Sequence, residues 1–215
     1  VNGLVGSEMC IRDSLEPEFL RYYFASRLTS KIEDIDLNFD DFQSRVNSDL
    51  IGKIINIGSR CAKFINKDFG NILSDSVNNN SLINECLSSK EEIIKNYENR
   101  NYSANIRLIA SMADNINKYL DTEKPWVKIK NKADKDSVHR ICTDGINLFR
   151  IIIGFLKPVL PNISLKVENI LSCDPVNWGN IDTIMLEKEI NKFEPIITRI
   201  NNDDIDSMKN QNKGE

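Results

Sequence analysis

Residues 50–67 read LIGKIINIGSRCAKFINK, and this stretch decides the fold because its apolar residues recur with the period of an α-helix. On a helical projection the apolar residues share one half, and a narrow polar and basic stripe lies on the other half. This stripe, called the basic stripe below, consists of Lys53, Asn56, Arg60, Lys63 and Lys67. Helical periodicity also dominates on both sides of the stretch, and the alternation typical of strands is nearly missing. The sequence therefore predicts an all-α protein.

The predicted helices follow one another with short connections, which favours antiparallel packing of neighbours. Their ranges are 18–28, 39–67, 82–98, 102–120, 136–156 and 164–172. The pattern over residues 174–198 is mixed and predicts at most one short extended or helical piece. We therefore predict an antiparallel helical bundle over residues 15–200 and a disordered polar tail over residues 201–215.

Composition and charge exclude several functional classes. The chain has 215 residues, 40% hydrophobic and 28% charged, with a net charge of -4, which excludes a globally basic nucleic-acid binder. The single histidine, His139, excludes mechanisms that need two and is interpreted as structural. The five cysteines form no C-x-x-C pair, which excludes a zinc knuckle and indicates reduced core thiols. No stretch approaches the ~18 apolar residues of a membrane span.

The basic stripe is the most informative surface that the sequence predicts. No acidic residue lies between positions 49 and 68, so the stripe is a local anion-facing surface in an acidic chain. Asn56 and Arg60 are one helical turn apart, so their side chains can reach one ligand. Gly52 and Ser59 flank the stripe, and because both residues are small, the surface beside the stripe stays low relative to its long side chains. The stripe is either a solvated helix face or a ligand-binding surface.

A second feature is Trp126, which follows Pro125 at the mouth of a polar loop. An indole in that position is either a plug over the core or an exposed platform for stacking. Acidic and amide residues recur on one side of the preceding helix. These residues are Asp114, Asn117 and Asp121. They accept hydrogen bonds from a nucleobase or balance Arg60, or else they form a solvated face with a cap at the helix end.

Four segments, taken together in this order and spacing, resemble one family. They are PEFLRYYFASRL at 17–28, DIDLNFDDFQSRVNSDLIGKIINIGSRCAKFI at 34–65, NKYLDTEKPW at 117–126 and ICTDGINLFRIIIGFLKPVLP at 141–161. They resemble the C-terminal half of methionyl-tRNA synthetase of the bacterial type, over about residues 15–200. The resemblance implies an all-helical anticodon-binding domain of the class I synthetase type. Residues 1–14 do not resemble the family, and SEMCIRDS reads as a foreign or artefactual leader.

The resemblance also implies site residues. The family's N-x-x-x-R pair corresponds to Asn56 and Arg60, and its Pro-Trp pair corresponds to Pro125 and Trp126, whose ring is expected to stack on an anticodon base. Acidic positions of the same pocket correspond to Asp114 and Asp121. Weaker contacts to phosphates are expected from Lys53, Lys63 and Lys67. Unpaired bases read by stacking and edge hydrogen bonds are the usual mode of recognition for RNA loops.

The function implied is recognition of the CAU anticodon of initiator and elongator methionine tRNA, as part of the enzyme that attaches methionine with ATP. The catalytic half and its signature motifs are expected to be missing, so we predict that this chain alone is inactive as a ligase. ATP and zinc are expected only in that half, and the chain is expected to be a cytoplasmic monomer. The alternative is a free-standing protein-interaction module that presents an exposed apolar side around Phe19, Leu20 and Trp178.

Overall fold

A computed structural model of the chain describes residues 15–31 and 34–211. The predicted leader at 1–14 lies outside the described residues, as do residues 212–215 of the predicted tail. Within the described ranges the structure is helical, and the one β-type pairing is an isolated antiparallel bridge between Ile72 and Glu189. The prediction of an all-α fold is confirmed.

The helices have the following bounds. They are α1 (Pro17–Arg27), α2 (Phe39–Ser44), a π-helical segment π1 (Arg45–Ile55), α3 (Asn56–Asp68), α4 (Asn80–Ser88), α5 (Lys90–Glu98), α6 (Tyr102–Glu123), α7 (Pro125–Lys128), a 3-10 turn (Lys132–Asp134), α8 (Lys135–Leu156), α9 (Pro161–Ile170) and α10 (Asn202–Gln211). The elements α2, π1 and α3 form one continuous helical rod. Asn38 caps its beginning, because the Asn38 side chain accepts a hydrogen bond from the Asp41 N–H at 2.9 Å.

Helix α8 is the centre of the bundle, and every residue from Ile141 to Leu156 is buried. Helix α3 crosses α8 closely because each helix contributes a glycine to the contact. A methyl group at Gly58 would lie 2.4 Å from the Phe149 ring, and one at Gly145 would lie 2.2 Å from the Cys61 sulfur. The tight crossing fixes α3, and with it the basic stripe, against the core.

The segment between α9 and α10 crosses the bundle without helical structure. Side chains of the helices hold it by hydrogen bonds to its backbone. Asn147 Oδ1 accepts from the Met185 N–H at 2.7 Å, and the Arg150 guanidinium donates to the carbonyls of Asn180, Ile181 and Thr183. The segment is ordered by these long-range bonds rather than by a local pattern.

Three expectations need correction. Residues 202–211 of the predicted disordered tail form helix α10, since Ile205 and Met208 are each only 4% exposed. Phe19 is 2% exposed, so the apolar side proposed for a protein-interaction module is not an exposed surface there. The helix predicted over 82–98 is interrupted at Ser89, where α4 ends and α5 begins.

Candidate functional site

The basic stripe begins in π1 and continues along α3. The Asn56 N–H donates to the carbonyl of Ile51, five residues back, so the wide π-helical turn ends where Asn56 begins α3. Asn56 and Arg60 are half-buried, whereas Lys63 and Lys67 are exposed. Within the described residues neither Lys63 nor Lys67 forms an ion pair, which leaves this end of the stripe electropositive.

Arg60 joins the stripe to α6. Its Nη2 lies 2.8 Å from Asp121 Oδ1, and its Nη1 lies 3.5 Å from Asn117 Oδ1. The guanidinium carbon also lies 4.5 Å from the centroid of the Trp126 ring. The structure therefore brings together Arg60, Trp126 and two polar residues of α6, all four of them candidates from the sequence, and Asp121 balances the charge of Arg60.

The backbone at the end of α6 positions Trp126. Lys124 adopts a left-handed conformation with φ 48°, which ends α6 and turns the chain into α7. Pro125 is buried at the first position of α7, where its fixed φ suits a helix start. Trp126 itself is half-buried, with Arg60 against its ring. The indole is thus an anchored surface residue rather than a plug beneath the helices.

Asp114 pairs with Lys53 at the other end of the contact between α6 and the stripe. Lys53 Nζ lies 3.0 Å from Asp114 Oδ1 and 3.8 Å from Asp49 Oδ1. Asn117 links the two ion pairs, because its Nδ2 donates to the Lys53 carbonyl at 3.3 Å. The Lys53 charge is therefore compensated, unlike the charges of Lys63 and Lys67.

Asn56 lies on the opposite flank of the stripe, where it lines a cavity of about 410 Å³. The prediction that Gly52 and Ser59 keep this flank low agrees with their place in the cavity lining. Its other wall comes from the segment before α10, which contributes Phe193, Pro195, Ile196, Ile197 and Arg199. Sequence reasoning missed these residues because the segment has no periodic pattern.

Behind the site, α6 and α8 share a buried polar cluster. The Tyr119 hydroxyl donates to Asp144 Oδ2 at 2.5 Å, and the Asn78 N–H donates to Asp144 Oδ1 at 2.9 Å. Burial raises the pKa of Asp144 to about 6, although these hydrogen bonds partly offset the effect. The cluster ties the C-terminal part of α6 to the core and so supports the α6 side of the site.

The remaining candidates have structural roles. His139 Nε2 lies 2.7 Å from the Ile72 carbonyl oxygen, and its ring stacks on Phe69. Trp178 packs against Phe155 with their ring centroids 6.2 Å apart. In the part of the chain that the structure describes, no cluster of three metal-ligating side chains occurs, and no helix is long and apolar enough to cross a membrane.

Two family matches define the class of protein to which the chain belongs. Residues 3–62 match the family described as class I tRNA synthetases (M), and residues 74–215 match the anticodon binding domain of methionyl tRNA ligase. The helical bundle is thus that of a class I tRNA synthetase, with an anticodon-binding domain from residue 74 onward. The first match begins at residue 3 and so includes most of the 1–14 segment.

Curated relatives identify the particular synthetase family within this class. Methionine--tRNA ligases of Francisella tularensis subsp. holarctica strain OSU18 and subsp. tularensis strain SCHU S4 are each 40% identical over 201 residues, covering 94% of this chain. The chain belongs to the methionyl-tRNA synthetase family. It spans 30% of the length of these curated relatives.

Solved structures show the same fold. The apo form of Mycobacterium tuberculosis methionyl-tRNA synthetase matches with a TM-score of 0.79 at 16% identity, over 89% of this chain and 40% of that chain. The same enzyme bound by methionyl-adenylate matches with a TM-score of 0.75 at 16% identity, over 84% of this chain and 37% of that chain.

Proposed function

We propose that this chain binds the anticodon loop of methionine tRNA and contributes discrimination for CAU to methionyl-tRNA synthetase. The observation that supports this most directly is the contact among Arg60, Asp121 and Trp126, with the guanidinium 4.5 Å from the indole centroid. A half-buried indole beside an arginine and a carboxylate has the parts that an unpaired base needs. These are a stacking surface, a donor fork and an acceptor.

In the proposed complex each residue has a distinct task. Trp126 stacks on one base, an interaction typically worth ~1–3 kcal/mol. Arg60 leaves or shares its contact with Asp121 and donates to a base edge, while Asn56 offers both a donor and an acceptor beside it. Lys63 and Lys67 contact phosphates, with Lys53 contributing less because Asp114 compensates its charge.

Attachment of methionine with ATP belongs, in this proposal, to the catalytic half of the family and not to this chain. Zinc and ATP are assigned to that half as well. The chain acts as a cytoplasmic monomer that supplies binding energy and specificity at the anticodon. The one histidine, at position 139, is engaged with Ile72 and Phe69, which supports a role in binding rather than in catalysis.

The test is binding of the chain to a labelled anticodon stem-loop, measured by fluorescence anisotropy. We expect CAU to be preferred over stem-loops with each anticodon base exchanged. Trp126→Ala and Arg60→Ala should each weaken CAU binding by roughly 10- to 100-fold. Wild-type affinity and wild-type base preference in both variants would refute the proposal.

A further inference from the structure

Two adjacent residues of helix α8 contact both of the helices that carry the site. Asp144 faces α6, where its Oδ2 accepts from the Tyr119 hydroxyl at 2.5 Å. A methyl group added at Gly145 would lie 2.2 Å from the Cys61 sulfur of α3 and 3.7 Å from the Leu120 side chain of α6. The three helices are therefore in close contact at one level of the bundle, where α8 sets the separation of α3 and α6.

The residues packed at this level are the chain neighbours of the site's ion pair. Cys61 follows Arg60 in the chain, and Leu120 precedes Asp121. Arg60 Nη2 and Asp121 Oδ1 lie 2.8 Å apart. Each partner of the ion pair is thus joined to α8 through one adjacent residue. A movement of α6 against α8 would change the distance between the guanidinium and the carboxylate.

Tyr119 holds α6 from the side opposite to its site residues. Asn117 and Asp121 lie two residues before and after it, and two residues of an α-helix correspond to a rotation of ~200°. Asn117 and Asp121 face Arg60. Tyr119 instead reaches Asp144 of α8. Its hydrogen bond therefore fixes the rotation of α6 about its own axis, and with it the direction of both site residues.

This hydrogen bond belongs to a closed ring that includes the loop before α4. The Asn78 N–H donates to Asp144 Oδ1 at 2.9 Å, and the Asn78 side-chain amide donates to the Tyr119 hydroxyl at 3.1 Å. Asp144 is fully buried, so its carboxylate relies on these donors and not on solvent. Removing one donor from the ring should therefore loosen the attachment of α6 to α8.

We propose that Tyr119 is a positioning residue for anticodon discrimination and acts through the ion pair of Asp121 with Arg60. Its hydrogen bond to Asp144 keeps the Asp121 carboxylate where it orients the guanidinium toward a base edge. Tyr119 makes no contact with the RNA in this arrangement. The inference rests on the proposed function and assigns to it a residue behind the binding surface.

Two variants of the 215-residue chain form a matched pair. Tyr119→Phe removes the hydroxyl and keeps the ring. Tyr97→Phe is the control, because the Tyr97 hydroxyl also donates to α8, at 2.8 Å from the Phe155 carbonyl oxygen, but Tyr97 lies in α5, which carries none of the site residues. Each variant loses one hydrogen bond to the same helix, so both should lower the free energy of unfolding by a similar amount. Circular dichroism melts give a temperature at which both are folded.

Each variant is titrated with CAU stem-loops and with loops exchanged at each anticodon base. We expect Tyr119→Phe to weaken CAU binding by roughly 3- to 10-fold and to reduce the preference for CAU, whereas Tyr97→Phe should match the wild type. In an Asp121→Ala background, Tyr119→Phe should have no further effect, because the residue through which it acts is gone. The same loss in that background, or an equal loss in Tyr97→Phe, would overturn the inference.

The fluorescence of Trp126 gives a readout that needs no RNA. With Trp178→Phe, Trp126 is the single tryptophan, and the Arg60 guanidinium carbon lies 4.5 Å from its ring centroid. In this background Tyr119→Phe should raise the quenching of Trp126 by acrylamide, since a displaced end of α6 leaves the indole less covered by the guanidinium. Tyr97→Phe should leave the quenching unchanged. Equal quenching with and without the Tyr119 hydroxyl would contradict the positioning role.

These outcomes separate the inference from the proposed function. If the wild-type chain prefers CAU and Tyr119→Phe keeps the full affinity and the full preference, the positioning role is wrong and the anticodon function stands. If the wild-type chain shows no preference for CAU, the proposed function fails and the positioning role fails with it.

Discussion

Replacing Arg60 by alanine should separate a binding role from a structural role. The substitution removes the 2.8 Å ion pair to Asp121 and the contact to the Trp126 ring. The Asp121 side chain is 62% exposed, so the ion pair is solvated and adds only ~0.2–1 kcal/mol to the free energy of unfolding. The contact to a half-exposed indole adds about 0.5–1 kcal/mol.

The stability lost by Arg60→Ala should therefore be about 1–2 kcal/mol, whereas RNA affinity should fall by 10- to 100-fold, or about 1.4–2.7 kcal/mol. Arg60→Lys provides the matched comparison. Lysine keeps the charge and loses the planar donor fork, so the salt dependence of binding should remain while the base preference is lost.

The assay combines urea unfolding with stem-loop titrations at several salt concentrations. A free energy of unfolding lowered by more than about 3 kcal/mol in Arg60→Ala would show that the residue mainly supports the fold. A lysine variant that keeps the full preference for CAU would show that the guanidinium does not read a base. Either result would refute the reasoning for Arg60.

Three further predictions concern charge, pH and packing. Changing Lys63 and Lys67 together to Gln should reduce the slope of log K against log salt by about 1.4, from ~0.7 per phosphate contact, while Lys53→Gln should change it less. Burial raises the pKa of Asp144 to about 6, so the folded state disfavours its ionised carboxylate. The protonated group therefore makes its full contribution to the free energy of unfolding below pH ~4, and this contribution is lost as the pH rises through 6. Urea unfolding should show the wild type losing stability relative to Asp144→Asn between pH 4 and 7, and an unchanged difference would contradict this. Gly145→Ala places a methyl group 2.2 Å from the buried Cys61 sulfur and should lower the free energy of unfolding in urea by about 1–3 kcal/mol. An unaltered urea midpoint would show that α3 and α8 can move apart at this contact.

Much of the site is predictable because it depends on one helix and one turn. The stripe follows from the 3.6-residue period, and the spacing of Asn56 and Arg60 places both on one face. The proximity of Trp126 to Arg60 does not follow from either segment alone. It requires the end of α6, where Lys124 takes a left-handed conformation, to lie beside α3.

The segment before α10, residues 193–200, shows what sequence periodicity cannot predict. Asn47 binds Ile200 across 153 positions, and Asn66 binds Phe193 across 127 positions. Such bonds from a side chain to a distant backbone leave no local pattern, so Arg199 and the cavity were not predicted. Helix α10 was missed for a related reason, since only Ile205 and Met208 mark its buried side in a polar sequence.

The π-helical segment was also unexpected. Residues 39–67 were predicted as one regular helix, and the extent of the rod agrees with that prediction. The hydrogen-bond register over Arg45–Ile55 differs, and no residue pattern in this segment signals a π-helix. The register matters because it sets where Lys53, in π1, lies relative to Asn56 and Arg60, which are both in α3.

The most direct test of the central claim uses the fluorescence of Trp126 during RNA binding. The chain has two tryptophans, and Trp178 packs on Phe155, so Trp178→Phe leaves Trp126 as the single reporter. Titration with the CAU stem-loop should quench this variant in step with its anisotropy, and Trp126→Phe should show no comparable quenching. Binding that leaves Trp126 fluorescence unchanged would contradict the claim that its indole stacks on an anticodon base.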